Sequence, residues 1–501
     1  MDMRCQFRDH AATATFDAAI IGGGVVGACL YHHLCERGHR VLLVDRSDFA
    51  GGSSQSSGML VWGGLLYLRN FDLPAVFRFS RARDALIETK HDWVRPKTMR
   101  YIPAGADGSA RHVVHFGLYL YWLMGMFHRR QPAEERDFGE RELIRDPAGR
   151  PALVYEEGAL EHSDARFVLH WITPHQSPEQ VPLNYCAVAG GEYAEGERLW
   201  HLQLQDTLAG NEFTARARTV INCAGPWADD VNRLFGIRTP CRHVFSKGVY
   251  IGMRRPDAHQ ALLVFEMGEH GDVLTYMPWG PVSLWGPTET RIDDLAQGYR
   301  ADAADVSFLL EHANRNLDSA IARDDIVSLR SGVRPLVVPN DFDKDVYPLE
   351  ISRGHRIVAD AHRPWVSFFG GKLTDCVEAA AAIYARLPKS RFAPPRMNGV
   401  AHDAIGAIEL TTWPGVDEPV PSARWCAQHE FCRTPADYLR RRTNIAQWLP
   451  REGLGRNDEH LPEIERIALD LSGGDAALAA QQVASYRRSV AENFDEVIAS
   501  V

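Results

Sequence analysis

The run Gly22-Gly23-Gly24-Val25-Val26-Gly27 is a G-x-G-x-x-G pattern, and the chemistry it serves is the cradling of a pyrophosphate. The first glycine permits a tight turn, the second lets the backbone approach the phosphates, and the third lets a helix pack closely on a strand. The flanking residues suit that use. Asp17–Ile21 reads as a buried parallel strand, a helix is expected over Ala28–Arg37, Gly38 ends it, and Arg40–Val44 reads as a second strand. The helix would turn free N–H groups and the positive end of its dipole toward the pyrophosphate. Asp45, followed by Arg46, stands at the end of the second strand, where a carboxylate accepts hydrogen bonds from ribose hydroxyls.

The next stretch is Gly51–Gly58, GGSSQSSG, rather than another βα repeat. Hydroxyls of Ser53, Ser54 and Ser57 and the backbone up to Gly58 can satisfy phosphate and isoalloxazine atoms, which favours FAD over a nicotinamide dinucleotide.

A chain of 501 residues is long enough for two or three domains. Its formal charge of −10 argues against nucleic acid as a partner but leaves room for a local basic pocket. The nine cysteines form no C-x-x-C pair and no Cys/His cluster at zinc spacing, so no metal site is expected and free thiols in a reducing cytoplasm fit best. The first fifteen residues lack the apolar centre of a secretory signal and are expected to form a loose tail. Phe116–Phe127, FGLYLYWLMGMF, is too short to span a bilayer. It reads most simply as a buried core helix, with peripheral contact at the inner face of a membrane, aided by Arg129 and Arg130, as the alternative.

Further segments carry a resemblance. Ser53–Leu68, Asp164-Ala165-Arg166, Val220–Asp229 (VINCAGPWAD), Tyr276–Trp279 followed by Gly286–Thr290, Gly332–Leu336 (GVRPL), Gly370–Thr374 (GGKLT) and Tyr438–Thr443 (YLRRRT) occur in one order along the chain. Together they resemble the FAD-dependent glycerol-3-phosphate dehydrogenases, a branch of the D-amino-acid-oxidase-like flavoproteins. The resemblance implies an α/β fold: a discontinuous Rossmann-like FAD-binding domain near 16–100, 155–245 and 325–390, an antiparallel-sheet substrate cap at 101–154 and 246–324, and a mainly helical C-terminal domain at 391–501. The residues agree. Val249–Met253, Val273–Met277 and Val282–Trp285 are strand-like, Pro394, Pro395, Pro414, Pro419 and Pro421 mark a loop-rich link, and Pro462–Leu471 and Ala476–Val490 have helical patterns. Ala224, Gly225 and Trp227 would turn under the flavin. Gly371, Lys372, Leu373 and Thr374, at the start of a helix expected from about Leu373, would meet its pyrimidine edge.

The implied activity is transfer of hydride from a secondary alcohol, or amine, carbon to flavin N5 while a base takes the hydroxyl proton. Arg334 and Lys372 would grip a substrate anion, with Arg353 near the reacting end and Tyr67 lining the pocket. Three positions depart from the family pattern. Trp62 and Tyr250 replace histidines, and Leu66 replaces a phosphate-binding arginine. The proton would then pass to Lys372, to Tyr250 as phenolate, to a histidine such as His355, or to water. These departures point to a changed substrate, as in a specialised biosynthetic pathway. Oxidation of glycerol 3-phosphate itself is the alternative, and a non-catalytic flavin-binding protein the alternative of another class. The electron acceptor would be oxygen, a quinone or another carrier.

Overall fold

In the computed structural model of the chain, the described residues are 3–104, 108–139, 141–145, 151–255, 259–267, 272–295, 299–342, 346–394 and 407–501. Pro395 lies outside them. Three sheets organise the fold. A six-stranded sheet has the order Arg356–Ala359, Trp365–Phe369, Val220–Asn222, Ala18–Ile21, Val41–Val44, Gln180–Leu183. All its pairings are parallel except that of Arg356–Ala359 with Trp365–Phe369. Every residue of Ala18–Ile21 and Val41–Val44 is buried, the composition expected of strands covered on both faces.

Helices α1 (Met3–Thr13), α2 (Val25–Cys35), α3 (Leu73–Thr89), α4 (Gly108–Met124), α5 (Asp164–Ile172) and α6 (Ala228–Leu234) follow in chain order. The expected loose tail is instead α1, docked because Arg4 is buried against Asp206 at 2.7 Å and the Asn184 carbonyl. Helix α2 begins at Val25, three residues before the sequence reading placed it, because Gly24 is its extended N-cap and the glycines belong to the entry turn. Helix α4 is amphipathic rather than a buried core helix: Leu118 and Tyr121 are buried, while Val113, Phe116 and Leu123 are exposed.

A ten-stranded, mainly antiparallel sheet forms the cap. Its long hairpin-like pair is Cys241–Arg254 against Ile326–Pro339, in register from Cys241 opposite Pro339 to Tyr250 opposite Arg330. Val94–Ile102 and Ile326–Pro339, which the sequence boundaries grouped with the cofactor segments, pair within this cap sheet. A four-stranded sheet from Thr15–Phe16, Cys186–Ala194, Leu199–Asp206 and Glu212–Ala217 covers one side of the parallel sheet. After residue 407 a hairpin, Leu410–Trp413 with Val416–Pro421, precedes helices that include Leu461–Leu471 and Ala476–Val490. All nine cysteines are free. Among the described residues no helix is long and apolar enough to cross a membrane.

Candidate active site

A cavity of about 1950 Å³ runs from the glycine turn at Gly22 and Gly24 to the Gly370–Thr374 segment and on between the cap strands. The cofactor residues expected from the sequence, Asp45, Arg46, Ser53, Ser54, Ser57, Gly58, Ala224, Gly225, Trp227, Gly371, Lys372, Leu373 and Thr374, all line it, as do Trp62, Leu66, Tyr67, Tyr250, Arg334 and Arg353. Gly27 stands behind the wall. A Cβ there would lie 1.9 Å from the Gly22 carbonyl oxygen, so helix and strand can approach only through glycine.

The shape and donors of the first half fit a dinucleotide. The Ser54 hydroxyl accepts the Val25 N–H at 3.0 Å, which places a polar oxygen where the α2 dipole favours one. Asp45 holds the turn itself, accepting the Gly23 N–H at 2.7 Å and the Ser47 N–H at 2.9 Å; burial raises its pKa. Arg46 lies over the Trp227 ring at 4.2 Å, and Trp227 stacks on Tyr299 with planes 9° apart. The serine loop is anchored from below. Arg330 donates to the Ser57 carbonyl at 2.7 Å and to Asp164 Oδ2 at 2.5 Å, and Asp164 Oδ2 accepts the Ser57 N–H at 2.8 Å. Both charges are buried.

The helix expected from Leu373 begins at Cys376. Ahead of it, Asp375 Oδ1 accepts the Lys372 N–H at 3.0 Å, so Gly370–Leu373 forms an open turn instead of a helical one. The Thr374 hydroxyl donates to the Trp62 carbonyl at 3.0 Å, tying this turn to the Trp62–Leu66 loop. His355 Nδ1 pairs with Asp375 Oδ2 at 2.8 Å, and His355 is not among the residues that line the large cavity.

In the second half, the paired strands deliver the charged groups. Alternation along Ile326–Pro339 puts Arg330 and Arg334 on one face, and Gly248 on the partner strand, paired with Gly332, leaves the space the Arg334 guanidinium fills, since a Cβ there would lie 2.2 Å from it. Arg334 and Arg353 converge on Glu289 Oε2 at 3.3 and 2.8 Å. Burial works against the Glu289 carboxylate, but the two arginines outweigh it and hold its pKa below the ordinary value. The sequence offered Glu289 only as a motif position; its role shows only when the arginines are seen to meet there.

Lys372 is the group most displaced from its ordinary state. Its Nζ lies 4.3 Å from the Tyr67 ring centre and 4.5 Å from that of Phe79, two rings stacked on each other. Burial first, and then the charge of Arg353, lower its pKa to about 7. The amine can therefore hold or release a proton near neutral pH. The Tyr250 phenol moves the other way, raised by burial despite the nearby arginines, and is a poor base. The buried Tyr67 hydroxyl has no hydrogen-bond partner among the described residues, and burial keeps it protonated, so it is a donor facing the pocket.

Comparison with known proteins accords with this geometry. Residues 17–374 match the family model described as FAD dependent oxidoreductase. The chain is similar to D-erythritol 1-phosphate dehydrogenase of Brucella abortus, 30% identical over 406 residues covering 79% of this chain and 77% of the relative. It is also similar to aerobic glycerol-3-phosphate dehydrogenase of Staphylococcus saprophyticus, 28% identical over 77% of this chain and 69% of the relative. In fold it is similar to the glycerol-3-phosphate dehydrogenase of Bacillus halodurans solved with FAD: TM-score 0.70, 17% identity, 99% of this chain and 98% of the other covered.

Proposed function

Because the chain belongs to the FAD-dependent oxidoreductase family, in its glycerol-3-phosphate dehydrogenase branch, we propose that it oxidises a secondary alcohol, or amine, that carries an anionic group and differs from glycerol 3-phosphate. When bound, FAD supplies a two-electron acceptor for hydride. The protein's own residues do the rest. Arg334 and Arg353 orient the substrate anion through charge-assisted hydrogen bonds, Tyr67 donates to a substrate oxygen, and Lys372 in its neutral form takes the hydroxyl proton as the C–H hydride departs. Closing the cap strands over this end excludes water and strengthens each of these interactions.

The observation that carries the reading is the convergence of Arg334 and Arg353 on one carboxylate beside a lysine of pKa about 7. The change of substrate is supported by Leu66, which stands where the resemblance expects a further cation; Arg69 also lines the cavity but is paired with Glu266 at 2.8 Å. A second reading, oxidation of a polyol phosphate, is favoured by the names of the relatives and by the retained Arg334, Arg353 and Lys372.

Anaerobic mixing of the holoenzyme with glycerol 3-phosphate, erythritol phosphate, hydroxy acids and amino acids, read as bleaching of the flavin band, separates the readings. Fastest bleaching by a non-phosphorylated anionic compound supports the first. Fastest bleaching by glycerol 3-phosphate or erythritol phosphate at sub-millimolar concentration overturns it in favour of the second.

A further inference from the structure

Ligand-type side chains also converge outside the cavity, at the end of α2 remote from the glycine turn. His32 stands in the last turn of α2 and Glu36 at its C-cap, four residues apart and so on one face of the helix. The fold brings His175, 143 residues from His32, against them. His175 follows α5, in the connection that leads into the edge strand Gln180–Leu183. His32 Nδ1 lies 2.8 Å from His175 Nε2, and His175 Nε2 lies 3.5 Å from Glu36 Oε1. The three ligand atoms fall within 4.8 Å of one another, and none of the three residues lines the cavity. The sequence reading expected no metal site because it looked for ligands close in the chain, and this third ligand is not.

The geometry suits a tetrahedral ion. Zinc–ligand bonds of about 2.0–2.1 Å set neighbouring ligand atoms about 3.3 Å apart. The 2.8 and 3.5 Å separations bracket that value, so the two imidazoles need to part by only ~0.5 Å. The protein positions the inner ligands itself. The Tyr31 hydroxyl donates to the His175 carbonyl at 2.7 Å, tying the connection to α2, and the His32 ring meets Trp171 edge-on with centres 5.0 Å apart. His175 is fully buried while Glu36 is exposed, so two held ligands face one that solvent reaches. The Glu36 carboxylate pairs with His175 and with no lysine or arginine among the described residues. The cations nearby are directed elsewhere: Lys90 lies over the Trp171 ring at 4.2 Å, and Arg37 donates to the His33 carbonyl at 2.9 Å. The C-terminal end of the α2 dipole adds partial negative charge on the same side. Two imidazoles and one carboxylate favour zinc-class ions over magnesium or calcium, which take oxygen ligands.

We infer that His32, Glu36 and His175 bind one zinc-class divalent cation, with a fourth position left to water. The proton now shared between His32 Nδ1 and His175 Nε2 moves to the other nitrogen of its ring or to solvent as both rings turn lone pairs to the ion. The ion clamps the far end of the cofactor helix to the strand connection, which makes it a structural site independent of which alcohol is oxidised.

The test uses holoenzyme stripped with a chelator, desalted, and dialysed against micromolar zinc or millimolar magnesium; bound metal and flavin are counted per chain and the melting temperature is read. About one zinc per chain, a raised melting temperature and no retained magnesium are expected. Glu36→Ala and His32→Gln should each weaken zinc binding about a hundred-fold or more and abolish the rise, with flavin content unchanged. His201→Gln, at the separate His201–Glu197 pair, should leave both intact. No zinc retained at micromolar concentration, magnesium retained as well as zinc, or undiminished zinc binding in either Glu36→Ala or His32→Gln overturns the inference. Loss of zinc from His201→Gln overturns it in favour of that other pair.

Discussion

A single lysine shows most clearly how surroundings decide chemistry in this protein. Lys372 in solution would be an ammonium ion at neutral pH; burial first, and then the charge of Arg353, bring its pKa down to about 7. Leu66 makes the complementary point, since it lines the cavity without offering charge. Leu66→Arg is expected to tighten binding of glycerol 3-phosphate about ten- to hundred-fold, the worth of one charge-assisted hydrogen bond, as measured by flavin perturbation on titration; no change would mean that residue 66 does not reach the substrate phosphate. Much of this site is legible in the sequence, because GVRPL and GGKLT name Arg334 and Lys372 directly. Which candidate base is poised is not legible, since the ranking of Lys372 over Tyr250 and His355 depends on burial and on partners that are remote in the chain. Glu289 lies 45 residues from Arg334 and 64 from Arg353, and only the fold brings the three together.

Among elements, the loop Gly51–Gly58 is shaped by groups outside it. Asp164 at the start of α5 and Arg330 on the cap strand form a buried pair that holds both the N–H and the carbonyl of Ser57. Asp164→Ala leaves Arg330 buried without its counter-charge, a loss on the order of 3–5 kcal/mol. The expected outcome is a lower melting temperature and a reduced FAD-to-protein ratio after gel filtration; an unchanged ratio would show that the loop keeps its form without the pair. The strand and glycine signals of the cofactor unit are legible in the sequence because every residue there is constrained by the strand, the turn or the close packing. Element ends were less legible. Gly24 caps α2 and Asp375 intercepts the Lys372 N–H, and both are local competitions that a periodic pattern does not report. Helix α4 was read as core because its composition is apolar, whereas the structure buries only one side of it.

At the scale of the molecule, Asp48 is one of several groups that fasten the C-terminal helices to the cofactor half, beside the Arg166–Glu430 ion pair and the Tyr185–Asp437 hydrogen bond. Asp48 receives Arg441 Nε at 2.5 Å and Arg442 Nη1 at 2.6 Å, and Arg441 also donates to Gln55 of the serine loop at 3.0 Å. Burial opposes the Asp48 charge, but Arg442 and Arg441 outweigh it and bring its pKa to about 2. An unfolded aspartate titrates near ~3.9, so this pairing contributes its full stabilisation, about 2 kcal/mol, above that pH and loses it as the pH falls toward 2. Melting temperatures followed from pH 6 to 3 should therefore drop more steeply for the native protein than for Asp48→Asn, which should be less stable at neutral pH; parallel curves would contradict the assignment. On the proposed reading, the whole assembly serves one event, the passage of hydride and proton from a bound alcohol in the cavity. The most direct test is the rate of anaerobic flavin bleaching by the best alcohol of the substrate panel, measured from pH 5.5 to 9 on the native holoenzyme and on Lys372→Met. The native rate is predicted to rise about ten-fold per pH unit and level off above a single ionisation near 7, and Lys372→Met to be slower by about two to three orders of magnitude with that ionisation gone. A native rate independent of pH, or a Lys372→Met profile that keeps the ionisation near 7, would contradict Lys372 as the base.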